Sequence, residues 1–418
     1  MIPIRTWYSR LHKTTALALL IILVAAAILR IDFNTSVSHN VSHDTINYDE
    51  MVWQLLDYGV YGYKSTEPNA QVTPGYPLFM AAVYLIADQL HYEPFPLIRM
   101  LQVGFSLVSI GLGYAIAARL GGRWVGLLTA AVMAVYPPFI WTTGAILTET
   151  LAGMLLLLYI WLQLLAFAHS RWSLHAASGV AMGLTVLVRP EFLVLIGASY
   201  ALLFLQSRRL SQTVRMLGIA LLGLALTLSP WIIRNAVTLG ELVVASTQVN
   251  PFAAGTYPDK NYEDGLVDRR GKTQMEVARE RLRIGFTEHT WTYVKWYTVG
   301  KLKYTYGRMF FGSGHSPLYP VLPMRQTFHL TIVLAGAVSA LWMLRRWREP
   351  AMLLVALLGT ITVTRLAFVP EFRYNFTAMP LLIILGCLFA VAVYQRFKPR
   401  RDGAKPVESQ TQEVGRYA

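Results

Sequence analysis

The sequence has 418 residues, of which 55% are hydrophobic and only 14% are charged, and its mean hydropathy is +0.43. Soluble globular proteins carry about a quarter charged residues, so this composition excludes a soluble domain, and recurring apolar runs of bilayer-spanning length indicate a polytopic membrane protein. The net charge of +14 by itself suggests a nucleic-acid partner, but the placement of the basic residues excludes one, as shown below.

Hydropathy predicts an all-α membrane protein with about 10–11 transmembrane helices. The predicted spans are 14–31, 99–118, 124–143, 149–168, 174–188, 191–205, 216–233, 327–344, 350–369 and 376–395. The first follows basic residues as a secretory signal does, but it is long and lacks a small-residue cleavage site, so we retain it as a span. The helices 174–188 and 191–205 are short for a bilayer core of about 30 Å. The turn at 189–191 is therefore predicted to lie below the membrane surface, facing a cavity.

Orientation follows from the basic residues of the short loops. With the N-terminus in the cytoplasm, alternate loops become cytoplasmic, and these loops hold most of the Lys and Arg that lie in short loops between spans. The residues concerned are Arg119, Arg123, Arg171, Arg208, Arg209, Arg215, Arg345, Arg346 and Arg348. The basic excess is therefore mainly a topology signal. The prediction is a multi-pass protein of the bacterial inner (plasma) membrane with both termini cytoplasmic.

Two long segments, 32–98 and 235–326, are predicted to lie outside, within one membrane domain over 1–396. The first contains an amphipathic helix over 44–58 that ends at Gly59, and a second apolar helix over 78–90; both are predicted to lie on the membrane surface. The apolar face of the first helix is predicted to be Ile46, Met51, Val52, Leu55 and Leu56. The second segment has predicted helices at 273–283 and 289–310. Residues 397–418 form a basic tail, predicted to be cytoplasmic and disordered.

The unusual polar residues gather on the predicted outer side. They are Asp44 and Tyr48, one helical turn apart; Thr148 and Glu149; Arg189 and Glu191; Arg234 and Asn235; Arg365; and Glu371, Arg373 and Tyr374. Each alone is commonly a solvated surface group or an arginine that reaches toward headgroups. Together, carboxylates and guanidinium groups at one face can bind an anionic headgroup and deprotonate a second reactant.

Other chemistries find less support in the sequence. His39 and His43 flank Asp44, but no further ligands accompany them, so solvated loop histidines are the better interpretation and no metal site is predicted. The single cysteine, Cys387, lies in an apolar run and predicts inert packing. No cofactor is expected, although a divalent cation stays open.

Several segments, in this order, resemble the signatures of GT-C glycosyltransferases. They are DTINYDEMVWQLLDYGVY, TPGYPLFMA, LTETLAGML, LVRPEFLVL, SPWIIRNAVTLGELVVAST and FRYNFTAMPLL, and they cover about 35–380. The first has the Asp, the Tyr four residues later, the two Leu, the Gly and the Tyr of the family's outer-loop motif. The chain looks most similar to the bacterial branch related to protein O-mannosyltransferases and the lipid A aminoarabinose transferase.

The resemblance implies a GT-C fold and inverting transfer of a sugar from a polyprenyl-phosphate donor to a hydroxyl of a glycan, lipid or protein at the outer face. It implies Asp44 as general base with Glu149 as a second carboxylate, and no nucleic-acid partner. The expected donor-phosphate ligands are Arg234, Arg373, Arg189, Arg365 and Tyr48; the expected substrate-binding residues are Tyr76, Asn235 and Tyr374.

The resemblance leaves the acceptor and the type of activity open. The segment before Pro74 lacks the lysine that aminoarabinose transferases carry, which argues against lipid A as the acceptor. A lipid-linked glycan polymerase or ligase also has arginine-rich outer loops, and a lipid flippase or transporter also places charge in a cavity. The Asp-Tyr motif after the first span favours transfer of a single sugar, and the lack of paired halves disfavours the transporter.

Overall fold

Helices form nearly all of the regular structure in the computed structural model, which describes residues 13–397. Seven helices are long and apolar enough to cross a membrane, and three shorter apolar helices accompany them. They correspond to the ten predicted spans, so the all-α polytopic fold is confirmed. The tail predicted over 397–418 lies outside the described residues except for its first residue.

In chain order the α-helices are α1 (Lys13–Ser36), α2 (His43–Tyr58), α3 (Gly75–Gln89), α4 (Pro94–Gly121), α5 (Arg123–Val135), α6 (Pro137–Trp141), α7 (Glu149–His169), α8 (Trp172–Val188), α9 (Val194–Ser207), α10 (Leu210–Leu239), α11 (Asn250–Ala254), α12 (Gln274–Thr287), α13 (Thr290–Lys295), α14 (Lys301–Tyr306), α15 (Arg325–Leu344), α16 (Met352–Leu366) and α17 (Met379–Phe397). Short 3-10 turns occupy Pro190–Leu193, Pro258–Lys260 and Phe372–Asn375, and a π-helical turn occupies Trp296–Gly300. The two-residue strands β1 (Ser38–His39) and β2 (His315–Ser316) pair antiparallel.

Helix α2 begins and ends as its sequence predicts. The Ser42 side chain accepts a hydrogen bond from the Thr45 amide at the N-terminus, and Gly59 ends the helix in the left-handed conformation that favours glycine. The predicted apolar face is wrong at Ile46, which is 43% exposed. The buried face instead runs through Thr45, Met51 and Val52, because Ile46 lies about 100° further round the helix from Thr45.

The predicted span 124–143 is not one continuous helix. Helix α5 ends at Val135, and the short α6 begins at Pro137. Pro137 and Pro138 have no amide hydrogen, so the carbonyls of Met133 and Ala134 lose their normal helical donors four residues later. The chain then runs through a buried irregular stretch, 142–148, to reach α7.

Arg30 of α1 supplies donors to this break. Its Nη1 donates to the Ala134 carbonyl at 2.9 Å, and its Nη2 donates to the Met133 carbonyl at 3.3 Å. Its Nε donates to Ser106 of α4 at 2.7 Å, and the side chain is wholly buried. In an apolar environment an unpaired carbonyl is costly, so Arg30 stabilises the break.

Three polar side chains of two other helices hold the irregular stretch that follows. The Gln102 amide donates to the carbonyls of Thr143 and Ala145, Arg99 donates to that of Gly144, and Thr45 donates to that of Ile146. Arg99 and Gln102 lie on α4, and Thr45 lies on α2. These bonds fix the stretch that ends at Thr148 and Glu149, two of the predicted site residues.

Helices α8 and α10 pack closely through small residues. A Cβ atom at Gly179 would lie 1.9 Å from the Ala220 carbonyl oxygen, so only glycine allows this approach. Small residues at an interface between membrane helices let the two backbones approach closely. The packing orients the end of α8, where Arg189 begins the turn into α9.

The first helix predicted in the second outer segment matches α12. The predicted helix 289–310 corresponds to α13, the π-helical turn and α14, which follow one another without a break. Neither predicted surface position of α2 and α3 is tested by the structure, which contains no membrane. Helix α3 buries Tyr76, Met80, Val83, Tyr84 and Ala87 against the rest of the protein.

Candidate active site

A cavity of about 380 Å³ opens where α2, the start of α7, the 189–191 turn and the Phe372–Asn375 turn meet. Six charged side chains line it. Three are carboxylates and three are arginines: Asp44, Glu149 and Glu191, and Arg189, Arg365 and Arg373. All were singled out from the sequence, and the fold brings them together from segments more than 300 residues apart.

Asp44 and Arg373 form the accessible part of this set. Asp44 lies in the first turn of α2, and its Oδ2 accepts a hydrogen bond from Arg373 Nη1 at 2.5 Å. The two side chains are 35% and 32% exposed, so a ligand can reach both. Within residues 13–397, Asp44 Oδ1 accepts no hydrogen bond. One carboxylate oxygen therefore remains available to a reactant.

Glu149 and Arg189 form a second ion pair deeper in the wall. Arg189 Nη2 lies 2.5 Å from Glu149 Oε1, and the two side chains are only 9% and 2% exposed. Arg189 Nε donates to Thr148 at 3.0 Å, and its Nη1 lies 3.3 Å from Glu191. Arg189 has therefore used its donors within the protein. This pair orients the wall of the cavity, and neither member is as free to bind a ligand as Asp44 or Arg373.

Arg365 is the exception among the buried charges. Its Nη2 donates to Thr377 at 2.9 Å and lies 3.8 Å from Glu191. Its Nη1 is buried and has no hydrogen-bond partner in the described part of the chain. Buried donors are normally paired, whereas Arg365 carries one guanidinium nitrogen without a protein partner on a side chain that lines the cavity.

Tyr374 links the three arginines. The guanidinium carbons of Arg373, Arg365 and Arg189 lie 5.5, 5.7 and 5.8 Å from the centre of its ring. Cations at this distance from an aromatic face are attracted to it, so the ring helps hold three like charges at one site. Tyr374 lines the cavity, and its predicted role in substrate binding stays a prediction.

The surroundings of Arg373 and Tyr48 raise the pKa of both side chains. Burial lowers the pKa of Arg373, but the carboxylates of Glu149 and Asp44 and the neighbouring Tyr374 more than offset this, so its pKa is raised and it stays charged. Burial raises the pKa of Tyr48, and its neighbours Tyr63 and Asp44 raise it further. Tyr48 is therefore a neutral phenol that can donate a hydrogen bond and is unsuited to act as a base.

Tyr48 lines the cavity, whereas Tyr76 lies behind it. The two rings are 5.5 Å apart, edge to face, and Tyr76 is fully buried with an unpaired hydroxyl. Tyr76 does not line the cavity. In this structure it supports Tyr48, and direct contact with substrate would require the cavity to change shape.

Arg234 and Asn235 also lie outside the cavity. Arg234 donates to the carbonyls of Tyr61 and Asn69, each at 3.0 Å. Asn235 donates to the Val243 carbonyl at 3.0 Å. Both side chains hold loops of the two predicted outer segments, and their donors are used for that purpose.

The loops that they hold form one rim of the cavity. The Thr247 amide donates to the Ala70 carbonyl at 3.0 Å, and Ser246 donates to the Gln71 carbonyl. Gln71, Ser246 and Gln248 line the cavity, and none was predicted. Gln71 and Ser246 had weak signals, since Gln71 precedes the TPGYP segment and Ser246 lies at the end of the segment SPWIIRNAVTLGELVVAST. Gln248 had none, because only the folded loops bring it to the site.

Among residues 13–397, no three His, Cys, Asp or Glu side chains are grouped so that they could hold a metal ion. Each cavity carboxylate lies within 4 Å of an arginine nitrogen. The expectation of no metal and no cofactor remains a prediction.

A sequence family and several solved structures resemble this chain. Residues 71–233 match the family model of dolichyl-phosphate-mannose-protein mannosyltransferases. None of the curated proteins matches the sequence.

Two solved membrane enzymes superpose on most of the chain. ArnT from Cupriavidus metallidurans, bound to undecaprenyl phosphate, has 15% sequence identity and a TM-score of 0.56, and the match covers 94% of this chain and 61% of ArnT. The oligosaccharyltransferase AglB from Archaeoglobus fulgidus, in complex with an inhibitory peptide and a dolichol-phosphate, has 13% identity and a TM-score of 0.58, covering 92% of this chain and 51% of AglB.

The apo form of the Archaeoglobus enzyme gives a TM-score of 0.60 at 12% identity. The chain thus spans about half to three-fifths of the length of these proteins. At identities this low, the superposition shows the fold alone. That fold agrees with the matched family model and with the ordered motifs of the sequence. The GT-C fold predicted from the sequence is confirmed by these structures, and residues 71–233 resemble the matched mannosyltransferase family.

Proposed function

We propose that this protein transfers a sugar from a polyprenyl-phosphate-linked donor to a hydroxyl group of an envelope glycan, lipid or protein at the extracytoplasmic membrane face. The observation that supports this most is the unpaired, buried Nη1 of Arg365 beside the accessible Arg373 in one cavity. Guanidinium groups match phosphate oxygens in geometry and charge.

The phosphate of the donor would bind between Arg365 and Arg373. Arg365 gains the partner that its Nη1 lacks, and Arg373 exchanges its bond to Asp44 for one to the phosphate. This exchange would leave the Asp44 carboxylate without its arginine partner beside the bound donor. Donor binding therefore both places the sugar and releases the base.

The reaction would then be a single displacement. The acceptor oxygen forms a bond to the anomeric carbon as the bond from that carbon to the phosphate oxygen breaks, which inverts the configuration. Asp44 Oδ1 accepts the proton of the acceptor hydroxyl, and the polyprenyl phosphate leaves with the bonding electron pair. Arg365 and Arg373 stabilise the charge that develops on the phosphate, which is how preorganised donors accelerate such reactions.

The polar rim would bind the hydroxyl groups of the sugar. The side-chain amides of Gln71 and Gln248 line the cavity and have no hydrogen-bond partner within residues 13–397. Asp44 is assigned to the acceptor proton, and Glu149 and Glu191 stay paired with Arg189, so no carboxylate is left for an amino sugar. Arg365 and Arg373 are assigned to the phosphate rather than to a uronate. A neutral sugar fits this distribution of charge.

The test compares envelope glycans and lipids by mass spectrometry in cells that lack the protein and cells that regain it. Expression of the wild-type protein in the cells that lack it should restore one sugar on one class of molecule. Expression of the Asp44→Asn variant should not. Asp57→Asn is a matched control, since Asp57 is exposed on the same helix and lies outside the cavity. A ladder of products would instead indicate a polymerase. Movement of lipid without chemical turnover would indicate a flippase.

A further inference from the structure

A second cavity, of about 250 Å³, lies in the predicted outer segment 235–326, between α11 and the start of α12. Small side chains of the two helices form part of its wall: Ala253, Ala254 and Ala278. The rings of Tyr257 and Tyr262 also line it, with their centres 5.1 Å apart. The volume is slightly below that of the sites that hold drug-sized ligands, and it suits one sugar unit.

Four polar side chains of this cavity have unused hydrogen-bonding capacity. Asn250, Gln274, Arg269 and the Tyr262 hydroxyl line the cavity and form no side-chain hydrogen bond within the part of the chain that the structure describes. Two planar amides, a phenol and a guanidinium group are well suited to bind sugar hydroxyls and a carboxylate.

The charge of this cavity is not balanced. Arg281, whose guanidinium carbon lies 3.5 Å from the centre of the Tyr257 ring, is neutralised by two hydrogen bonds to Asp264. Lys272 pairs with Glu280 at 2.5 Å. Arg269 forms no ion pair among residues 13–397 and is exposed on the rim. One positive charge is left for a ligand.

We propose that this cavity binds an anionic sugar unit of the acceptor glycan. That the ligand belongs to an acceptor rests on the proposed glycosyl transfer. That the ligand is an anionic sugar rests on the cavity itself. The sugar ring would lie against the exposed face of Tyr262, its hydroxyls would meet Asn250 and Gln274, and its carboxylate would meet Arg269. An acidic peptide would also meet Arg269, but it would make less use of two amides and a flat aromatic ring.

The position of this cavity relative to the active site supports the assignment. Helix α11 borders both cavities, because Asn250 lines the second cavity and the next residue, Pro251, lines the first. The Pro251 carbonyl accepts a hydrogen bond from the Val369 amide at 2.8 Å, which ties α11 to the chain beside Arg373. An acceptor glycan with its reacting hydroxyl in the first cavity can extend over α11 into the second.

The experiment measures binding of trigalacturonate to the full chain in detergent, by saturation-transfer NMR and by titration. Maltotriose and triglutamate serve as the neutral sugar and the acidic peptide. Arg269→Ala should weaken trigalacturonate binding about ten-fold or more. Tyr262→Ala should also weaken it, and Arg270→Ala should not. Arg270 is a matched control, since it is adjacent, 92% exposed at its side chain, and paired with Asp268 outside the cavity.

The possible results separate this proposal from the proposed function. Trigalacturonate binding that survives Arg365→Ala but falls with Arg269→Ala supports a separate acidic-sugar site, whether or not the chain transfers a sugar. Equal binding by wild-type and Arg269→Ala proteins would overturn the proposal. Tighter binding of maltotriose or of triglutamate than of trigalacturonate would overturn it as well, by assigning the cavity to a neutral glycan or to a peptide.

Discussion

At the scale of single residues, burial separates two kinds of ion pair in the active-site cavity. Glu149 and Arg189 are nearly inaccessible, whereas Asp44 and Arg373 are about one-third exposed. Removing one member of a buried ion pair leaves the other charge buried and unpaired, which lowers stability strongly. The Glu149–Arg189 pair therefore maintains the wall, and the Asp44–Arg373 pair is the one that can change partners during a reaction.

Asp44→Asn should lower the rate of transfer by at least about a hundred-fold while the protein folds normally, because a general base contributes typically 10²–10⁴-fold. Asp49→Asn should have a far smaller effect, since Asp49 lies outside the cavity and accepts a hydrogen bond from Tyr84. Turnover of extracted lipid donor measures both variants. Loss of turnover in the Asp49 variant together with near-normal turnover in the Asp44 variant would move the base by five residues.

Arg365→Ala should raise the apparent KM for the donor, or lower turnover, by about ten-fold or more, because a charge-assisted hydrogen bond contributes about 1.5–3 kcal/mol. Arg365→Lys should restore only part of the loss, since the planar fork is absent. Arg234→Ala is the contrasting variant. It should lower thermal stability by releasing the carbonyls of Tyr61 and Asn69, with little change in donor KM. An unchanged KM in the Arg365 variant would remove Arg365 from the phosphate site.

At the scale of elements, the active site depends on an interrupted helix. The proline pair after α5 ends one helix, and the buried stretch that follows places Thr148 and Glu149 at the start of α7. Side chains of α1, α2 and α4 replace the lost backbone pairing. The interruption is thus built by residues distant in the sequence, and Arg30 and Gln102 each donate two hydrogen bonds to it.

Arg30→Met should destabilise the protein by several kcal/mol, because two buried carbonyls would each lose a donor at about 1–3 kcal/mol. Arg123→Met, at the exposed start of α5, should have little effect. Cys387 is buried and is the only cysteine of the chain, so its reaction with a fluorescent thiol reagent during heating reports unfolding. Equal unfolding temperatures for the two variants would show that the break does not need Arg30.

Local sequence signals predicted the elements well and their interruptions less well. Gly59 predicted the end of α2, and the periodicity of apolar residues predicted the extent of the helices. Both signals act within a few residues of the chain. The Tyr136-Pro137-Pro138 break was missed because the surrounding hydropathy is continuous. For the site, the charged residues were predictable because charge near a membrane span is rare. Gln71, Ser246 and Gln248 were not, because uncharged polar residues in long loops are common and only the fold selects among them. Arg234 carried the same sequence signal as Arg365, and only their places in the fold and their hydrogen-bond partners tell them apart.

At the scale of the whole molecule, the active-site cavity lies at one end of the helical bundle, together with both predicted outer segments. The positive-inside rule predicts that this end lies outside the cytoplasm. A lipid-linked donor then reaches the cavity within the membrane plane, and a water-soluble or lipid acceptor reaches it from outside. Orientation is therefore the property on which the proposed chemistry depends most.

Cysteines introduced at Thr66 and Ser211 should react differently with an impermeant thiol reagent in intact cells. Both positions are exposed, and they lie at opposite ends of the bundle. We expect labelling of Thr66→Cys and not of Ser211→Cys, with Cys387 too buried to contribute. The reverse pattern would place the cavity in the cytoplasm and contradict the proposed donor.

The equal numbers of carboxylates and arginines in the cavity bear on how fast a donor arrives. Three negative and three positive side chains give no net charge, so the cavity creates little long-range field, and such fields are what accelerate the encounter of charged partners in solution. Capture should then be governed by lateral diffusion and by contact with Arg365 and Arg373. The second-order rate of donor association, measured in nanodiscs, should change less than about two-fold between 0.05 and 0.5 M salt, where the screening length shortens several-fold.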